Sequence, residues 1–380
     1  MNNNLQFVLW YPFGFITALI MKLLSPLFKN LRKDKASPWV IGGHKGGIYA
    51  DNSAALHGYI ISQTSQPIIW IAGTRLYGEM KRKGIKVLKK DSIRARLAIL
   101  RAPILIYSHG LDDLDTFLKK IEIKTGNLIY LNHSMNFLKC PAPKASADFL
   151  LAVSEEEKNN FSKTFAGIKR ILPVGGGAHL DKILKIREKA PENLILWFPT
   201  WRDTKKEAEY AIEFQNKVIN SAKLHAYLEK NGLRLALVTH INTSGVLNSS
   251  HSSVSLHKQG DLSGLFEKAC VFISDYSGII FDWLALDRPV IFFPFDSDSY
   301  KKKRNFYYPL EDIYYGPVAR TEEEFFEILT GDTWKNTDIF AKKRQSWKDK
   351  IFSLGLAPVY SEKCYETIKN FSTALNCKSF

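Results

Sequence analysis

The stretch of sequence that decides the fold runs from residue 194 to residue 203 and reads LILWFPTWRD. Its first five residues are apolar, and it ends in the polar group Thr200-Trp201-Arg202-Asp203. A short apolar run that stops at a proline and a polar turn is typical of a strand buried on both faces, as in a parallel sheet. We therefore predict a buried strand over Leu194–Thr200 whose carboxyl end carries polar side chains.

Similar short apolar runs recur along the chain, separated by longer polar or amphipathic stretches. They are Trp39–Gly43, Ile68–Gly73, Ile104–Tyr107, Leu128–Asn132, Phe149–Val153, Leu233–His240, Val271–Asp275 and Pro289–Pro294. Strands that alternate with helices form parallel sheets covered on both faces. The sequence therefore predicts an α/β fold with a doubly wound parallel sheet in each half of the chain.

The length of 380 residues is more than a single hydrophobic core usually serves, so we expect two domains. A charged helical pattern over Asp181–Lys189 is followed by Pro191-Glu192-Asn193, which we take as the boundary. The expected segments are a membrane-associating 1–35, an N-terminal Rossmann-like domain 36–190, a C-terminal Rossmann-like domain 191–335, and C-terminal helices 336–380 that pack back toward the N-terminal domain.

The composition is that of a globular protein, with 45% hydrophobic and 24% charged residues, and the net charge is +15. Nucleic acid, an anionic membrane surface or a polyanionic substrate would each balance such a charge. The four cysteines show no C-x-x-C spacing, which argues against a zinc site or a disulfide framework. Phosphate-loop, dinucleotide, metalloprotease and nucleophile-elbow motifs are missing from the sequence.

The N-terminus is apolar and is followed by positive charge. Residues Leu5 to Met21 carry almost no charge, and then come Lys22, Lys29, Arg32, Lys33 and Lys35. A signal peptide carries its charge before the apolar stretch, and a spanning helix needs about 20 apolar residues. We predict an amphipathic helix in the membrane interface, with its basic neighbours on anionic headgroups. The alternative is a helix packed on the protein's own core.

Polar groups follow the predicted strands, and histidines are frequent among them. His44, His109, His133 and His240 lie at or just past strand ends. Doubly wound sheets bind ligands at the carboxyl ends of their strands. The pattern indicates a cleft between two lobes that is rich in groups suited to phosphate. For His133 and His240, a structural role stays open beside a catalytic one.

Two further groups are candidates for phosphate binding. Ser274-Asp275-Tyr276-Ser277-Gly278 joins a predicted strand to a helical run, Ile279–Leu286, whose N-terminus would offer free N–H groups to an anion. The alternative is simple N-capping by Ser277. Arg202 would fork onto a phosphate, or else form an ion pair with Asp203.

Taken together, these motifs resemble one family. Residues Leu196–Asp203 are similar to the "APTWRD" signature of the CDP-glycerol:poly(glycerophosphate) glycerophosphotransferases, which are teichoic acid and capsule enzymes. Ile273–Asp282 and Asp287–Phe293 resemble its "SDYSSVIFDF…RPIIFY" segment. Asp51–Leu56 looks like its "DNSKAL" stretch, and Leu131-Asn132-His133-Ser134 stands where the family has "LWHG".

The resemblance implies a GT-B architecture in which 36–190 is the acceptor side and 191–335 binds the CDP-activated donor. It implies transfer of glycerol phosphate from CDP-glycerol to a hydroxyl of a polyanionic glycan or lipid-linked acceptor, at the inner face of the cytoplasmic membrane. His133 and His240 would be the catalytic residues. His133 would be the general base, and His240 would neutralise the charge that builds on the phosphates, together with Arg202, Arg304 and the helix N-terminus at Ser277-Gly278. The expected substrate-binding residues are Thr200, Trp201, Arg202, Asp203, Ser274, Asp275, Ser277, Gly278, Asp282 and Arg304. The cationic residues among them would serve in place of a metal, so no metal and no cofactor is expected.

Three alternatives stay open at this point. Two lie within the transferases: a homologue that uses CDP-ribitol, and a GT-B glycosyltransferase that uses a nucleotide sugar. The third is a basic nucleic-acid-binding protein, which would cluster arginines and aromatic residues on one exposed face. The cations follow strand ends instead, so nucleic acid is not an expected partner.

Overall fold

The chain forms two compact units in a computed structural model. Unit 1 consists of Met1–Ser134, Ala142–Asp181 and Ala357–Phe380, and unit 2 consists of Met135–Pro141 and Lys182–Leu356. The structure describes residues 3–33, 37–123, 125–140, 147–165, 167–168, 170–174, 177–240, 243, 245–260, 262–353, 355–357 and 359–377. Lys35 of the predicted basic cluster lies outside these ranges.

Unit 1 is built on a seven-stranded sheet in which every neighbouring pair is parallel. Its strands are β1 (Trp39–Ile41), β2 (Ile68–Ala72), β3 (Val87–Lys89), β4 (Ile104–Tyr107), β5 (Asn127–Tyr130), β6 (Phe149–Ala152) and β7 (Ile171–Pro173). The order β3-β2-β1-β4-β5-β6-β7 winds outward in both directions from β1. The predicted doubly wound sheet of the first half is confirmed.

Unit 2 is built on a five-stranded sheet, again with parallel pairs throughout. Its strands are β8 (Leu194–Phe198), β9 (Arg234–Thr239), β10 (Val254–Lys258), β11 (Ala269–Ser274) and β12 (Val290–Phe292), in the order β10-β9-β8-β11-β12. The stretch that opened the sequence analysis forms the central strand, β8, and all five of its residues are buried. The α/β class is therefore confirmed for both halves.

Strands β3, β7 and β10 were not predicted, and each lies at the edge of its sheet. Edge strands contact a neighbour on one side only and are partly exposed, so they need no continuous apolar run. In β10, for example, Val254 is buried and the next four residues are exposed. The sequence signal for a strand is therefore weak at these three edges, whereas β12, also at an edge, was predicted because all three of its residues are buried.

The helices of the described residues connect these strands and cover the sheets. They are α1 (Asn3–Leu24), α2 (Asp51–Gln63), α3 (Thr74–Arg82), α4 (Ile93–Arg101), α5 (Leu118–Ile121), α6 (Glu155–Thr164), α7 (Leu180–Arg187), α8 (Lys205–Ile219), α9 (Ala222–Lys230), α10 (Ser263–Lys268), α11 (Ile280–Leu284), α12 (Ser297–Lys301), α13 (Leu310–Ile313), α14 (Glu322–Thr330), α15 (Ala341–Ile351) and α16 (Tyr360–Cys377). Side-chain caps fix several of their starts; Ser154 accepts from the N–H of Glu157, and Thr204 from that of Glu207.

The sheet of unit 1 has a hydrophobic cluster on each face. One cluster joins α1, α4 and α5 to the sheet, with Tyr107 and Phe117 fully buried in it. The other joins α2 and α16 to the opposite face around Trp70. Helix α16 packs there through Tyr365 on Trp39 and Phe371 on Phe149. In unit 2, Trp197 and Phe325 lie in the corresponding cluster.

Helix α1 presents two different faces. Ala18 and Met21 are buried in the core of unit 1, and Arg96 donates a hydrogen bond to the carbonyl of Gly14. On the other face Phe13, Ile16, Ile20 and Leu23 are exposed, Leu23 by 78%, and Leu27 is exposed in the turn Ser25–Phe28 that follows the helix. Within the described residues, none of the helices combines the length and the apolar character needed to cross a bilayer. The helix thus packs on the protein's own core and still leaves an apolar stripe uncovered.

Candidate functional site

Three of the predicted histidines meet at the carboxyl edge of the unit 1 sheet. The register aligns Ile41 of β1 with Ile106 of β4, and Ile106 with Ile129 of β5. His44, His109 and His133 follow those aligned residues by three or four positions. Their rings form a column, with centroids 4.1 Å apart for His44 and His109 and 4.3 Å apart for His109 and His133. We call this group the histidine column.

A carboxylate holds the first ring of the histidine column. Nε2 of His44 lies 2.6 Å from Oδ2 of Asp51, the first residue of α2. Burial raises the pKa of Asp51, but the hydrogen bond and charge of His44 outweigh it and leave the pKa below its usual value. His44 and Asp51 both have positive φ, 47° and 57°, a conformation that costs non-glycine residues energy and tends to occur at functional sites.

Asp113 holds together the loops that carry His44 and His109. Its fully buried carboxylate accepts hydrogen bonds from the backbone N–H groups of Lys45, Ser108 and His109, at 2.7, 3.0 and 2.8 Å. Burial opposes its ionisation, yet the bonds and charge of His109 and these N–H groups lower the pKa of Asp113 to about 2. Asp113 was not predicted from the sequence, although it follows β4 only four residues after His109.

His133 is the last ring of the histidine column and is exposed. Its Nδ1 lies 3.4 Å from the carbonyl oxygen of Ser108. Because a carbonyl can only accept, Nδ1 carries the proton in the neutral ring and Nε2 keeps its lone pair. Desolvation, and after it the imidazole of His109, lower the pKa of His133. The ring is therefore neutral at pH 7, with a free basic nitrogen.

Asn52 ties this edge of the sheet together. Its side chain donates to the carbonyl of Asn132, beside His133, and accepts from the backbone N–H of His179. Nδ1 of His179 lies 2.6 Å from the same amide oxygen. The resemblance of Asp51–Leu56 to a family motif indicated this helix start, but not the contacts that Asn52 makes.

In unit 2 the polar edge is organised around Arg202. Its Nε donates to Oδ2 of Asp296 at 2.6 Å, and its Nη2 donates to Asp275 and Asp296 at 3.0 and 2.8 Å. The side chain is 1% exposed, and the rings of Tyr276 and Tyr300 lie against the guanidinium. The sequence predicted a phosphate contact for Arg202, or an ion pair with Asp203. The structure instead buries it between two other carboxylates.

Asp275 and Ser274 join β8 to β11. Oδ1 of Asp275 accepts from the N–H groups of Thr200 and Tyr276 at 2.8 and 2.6 Å, and the hydroxyl of Ser274 donates to the carbonyl of Phe198. Both side chains are buried. They fix the shape of the strand ends, and their predicted substrate contacts stay predictions.

The anion site predicted at a helix N-terminus is smaller than expected. Helix α11 begins at Ile280 and has five residues, whereas the sequence predicted Ile279–Leu286. Ser277 and Gly278 lie before it in turns, both half-buried, and no side-chain cap is formed at this helix start. Asp282 is buried inside α11. Ser277 and Gly278 therefore stay available to a ligand, and Asp282 is interior.

Two cations lie near the ends of the unit 2 strands. Arg304 pairs with Asp203, so two predicted residues do meet, and both are partly exposed. Lys139 approaches from the segment Met135–Pro141, which an isolated bridge joins to Phe306, and its Nζ lies 3.4 Å from the hydroxyl of Tyr300. Desolvation, with the charges of Arg304 and Arg202, lowers the pKa of Lys139 to about 8 against the attraction of Asp275. The sequence analysis missed Lys139 because it lies far along the chain from its partners.

Trp201 and His240 form a third group at this edge. Their rings stack with centroids 5.8 Å apart and 24° between planes. Both are half-buried and follow neighbouring strands, β8 and β9. Beside them the hydroxyl of Thr200 is buried without a hydrogen-bond partner among the residues that the structure describes. The two half-buried rings offer a flat face to a ligand.

The fold and the two polar edges define the class: a two-unit α/β transferase fold of the GT-B type. A solved structure of the wall teichoic acid polymerase TagF matches 95% of this chain and 98% of its own, with a TM-score of 0.70 and 19% identity. The model of the CDP-Glycerol:Poly(glycerophosphate) glycerophosphotransferase family matches residues 40–368. The chain belongs to this family, as its motifs indicated.

Curated relatives agree with this assignment at low identity. A teichoic acid poly(glycerol phosphate) polymerase of Bacillus subtilis is 22% identical, over 92% of this chain and 50% of its own length. A teichoic acid glycerol-phosphate transferase of Staphylococcus aureus is also 22% identical, over 75% of this chain and 81% of its own. The chain thus spans half of the first of these relatives and most of the second.

Proposed function

We propose that this protein transfers glycerol phosphate from CDP-glycerol to a hydroxyl of a cell-surface polymer or its primer. The acceptor oxygen attacks the β-phosphorus, and the bond from that phosphorus to the oxygen bridging the two phosphates breaks. A phosphodiester forms, CMP leaves, and the hydroxyl proton passes to the protein. Membership of the family and the names of the curated relatives support this reaction.

The observation that carries the proposal is the state of His133. A general base for a hydroxyl must be unprotonated and held in one tautomer near the working pH. The carbonyl of Ser108 and the ring of His109 meet both requirements, because they leave Nε2 of His133 with its lone pair. In this proposal Nε2 takes the acceptor's proton as the new bond to phosphorus forms.

On the donor side, the residues proposed to meet phosphate are those that keep part of their surface exposed near the ends of the unit 2 strands. Lys139 and Arg304 supply positive charge, and the turn at Ser277-Gly278 supplies backbone N–H groups. His240 and Trp201 would contact the nucleotide, with His240 assisting catalysis as the resemblance implies. Arg202 acts as a positioning residue that holds Asp275 and Asp296. A metal is not needed for this set of contacts.

CDP-ribitol is a second candidate donor. A teichoic acid ribitol-phosphate primase of Bacillus spizizenii is 25% identical over 52% of this chain, so the fold alone does not separate the two alditols. The difference between glycerol and ribitol is two carbons with their hydroxyls, which a pocket distinguishes by the hydrogen bonds it offers.

Donor choice can be measured directly as nucleotide release, which is CMP from a CDP-alditol or a CMP-sugar and UDP from a UDP-sugar. The purified protein would be incubated with CDP-glycerol, CDP-ribitol, a UDP-sugar or a CMP-sugar, with and without a glycerol-phosphate-primed acceptor, and products analysed by mass spectrometry. We expect acceptor-dependent release from CDP-glycerol and an acceptor heavier by one or a few glycerol phosphate units. Transfer from a nucleotide sugar alone would overturn the proposal, and preference for CDP-ribitol would replace the donor.

We also propose that the protein binds the inner face of the cytoplasmic membrane through α1. The exposed apolar stripe of that helix has a basic border: Lys22 and Lys29 are exposed, and Arg101 lies over the ring of Phe28. Apolar side chains beside cations fit a surface of anionic lipid. Arg32 does not contribute, because it donates to the carbonyls of Leu100 and Ser25.

A further inference from the structure

Two members of the histidine column, together with Asp51, have the chemistry of a metal site. One nitrogen of His44, one oxygen of Asp51 and one nitrogen of His109 all lie within 4.8 Å of one another, and all three residues are half-buried. In the part of the chain that the structure describes, this is the group whose ligand atoms converge in this way. The residues come from the end of β1, the start of α2 and the end of β4. Three separate elements therefore bring ligands to one point.

The three ligands are of the types that transition metals prefer. Two imidazoles and one carboxylate bind Zn²⁺ in catalytic sites and leave one or more positions open, whereas Mg²⁺ and Ca²⁺ prefer oxygen ligands throughout. Since each residue is about half-buried, a metal held by them would keep a side open for water or a substrate oxygen. The ligand set therefore selects Zn²⁺ or a similar ion over Mg²⁺.

The surroundings are those of a supported site. Metal ligands are usually held in place by outer hydrogen bonds. Asp113 bonds the backbone on both sides, at Lys45 and at His109, and fixes the loops that carry both imidazoles. The left-handed backbone of His44 and Asp51 is a cost that a simple surface ion pair would not require. Both features aim the side chains at a common point.

We propose that His44, Asp51 and His109 bind one divalent transition-metal ion, Zn²⁺ being the best fit, beside the ring of His133. No metal was expected from the sequence, because cationic side chains were taken to serve in its place and the cysteines showed no C-x-x-C spacing. Here the ligands are spread over 65 positions of the chain, from His44 to His109, so no local motif would reveal them. The ion would lie one imidazole away from the proposed general base.

The chain offers a matched control in unit 2. His225 and His251 also stack, with centroids 3.8 Å apart, and Nε2 of His251 lies 3.2 Å from Glu229. This trio has the same composition as the proposed site. However, Nε2 of His225 is hydrogen-bonded to the carbonyl of Ile219 at 2.8 Å. The trio therefore tests whether composition alone, without convergence, binds metal.

The test is a calorimetric titration of chelator-treated full-length protein with ZnCl₂, supported by elemental analysis after desalting. We expect one Zn²⁺ per chain in the wild type and in His251→Ala. The double variant His44→Ala/His109→Ala should bind at least roughly 100-fold more weakly, and Asp51→Asn roughly 10- to 100-fold more weakly. Circular dichroism checks that each variant is folded. No saturable site in the wild type, or equal binding by the double variant, overturns the proposal.

Cobalt gives an independent measurement that needs no variant. Co²⁺ bound by nitrogen and oxygen ligands gives weak visible bands, whereas thiolate ligands add intense near-ultraviolet absorption. We expect the former in the wild type; thiolate absorption would assign the ion to a cysteine and overturn the proposal. Neither experiment contains CDP-glycerol. A protein that binds Zn²⁺ but releases no CMP would therefore contradict the proposed function alone, and the reverse result would contradict the metal site alone.

Discussion

The two units place polar groups at the same edge of similar sheets but use groups of different kinds. The edge of unit 1 carries imidazoles, and His133 keeps a free nitrogen there that can accept a proton. The edge of unit 2 carries permanent charge, with Arg202 buried between Asp275 and Asp296. Under the proposed function, unit 1 would move protons and unit 2 would hold the anionic donor.

The largest effect should follow from removing the base in unit 1. His133→Ala is expected to lower acceptor-dependent CMP release by ~10²–10⁴-fold, the usual contribution of a general base. CDP-glycerol affinity should stay near that of the wild type, as judged by calorimetry. His257→Ala, an exposed histidine of β10, is the control and should be fully active. Near-normal turnover of His133→Ala would move the role to His109.

In unit 2, the corresponding change should affect stability first. Arg202→Ala leaves two buried carboxylates without their partner, and breaking such a buried pair typically costs about 3–5 kcal/mol. Urea unfolding followed by tryptophan fluorescence would measure the loss. Arg234→Ala breaks an exposed pair with Glu192 and should cost about 1 kcal/mol or less.

That comparison also tests the earlier reading of Arg202 as a phosphate ligand. If Arg202→Ala unfolds no more easily than Arg234→Ala but loses donor affinity, the phosphate contact predicted from the sequence is correct. In that case the guanidinium of Arg202 would be buried only while the donor is absent.

A smaller effect is expected on the surface of unit 1. Leu23→Ser removes the most exposed side chain of the apolar stripe over residues 13–27. Full burial of a leucine is worth about 1.5–3 kcal/mol. Flotation with anionic vesicles should show roughly tenfold to hundredfold weaker binding. Ile339→Ser, an equally exposed apolar residue of unit 2, should float like the wild type. Equal flotation of both variants would make α1 a purely structural helix.

Much of the fold follows from the sequence, because central strands of parallel sheets are continuously apolar. Strand β8 is an example, with five buried residues and a polar group directly after it. Edge strands such as β10 were not predicted, because their exposed positions carry polar residues that interrupt the apolar run. The sequence left two alternatives for α1, a helix in the membrane interface or a helix packed on the core. In the structure one face of the helix packs on the core and the other is exposed.

The candidate site was predictable in part. Register brings residues that follow aligned strands together, so the meeting of His109 and His133 could be expected from the sequence. Contacts between residues that lie far apart in the sequence could not be predicted in this way. Arg202 meets Asp296, which lies 94 residues later, and only the packed structure shows this contact.

The smallest effect should appear in the pH dependence of donor binding. The pKa of Lys139 is lowered to about 8, first by desolvation. Below that pH the side chain is charged and attracts phosphate; as pH rises through 8 it loses its proton, and the attraction is lost. A charge-assisted contact is worth roughly 1.5–3 kcal/mol, so the Kd for CDP-glycerol should rise about tenfold between pH 7 and pH 9.5. Lys139→Arg keeps its charge and should flatten the profile, whereas Arg304→Ala should weaken binding at every pH and keep the slope. A wild-type Kd that does not change over this range would remove Lys139 from the donor site and leave Arg304 as its cation.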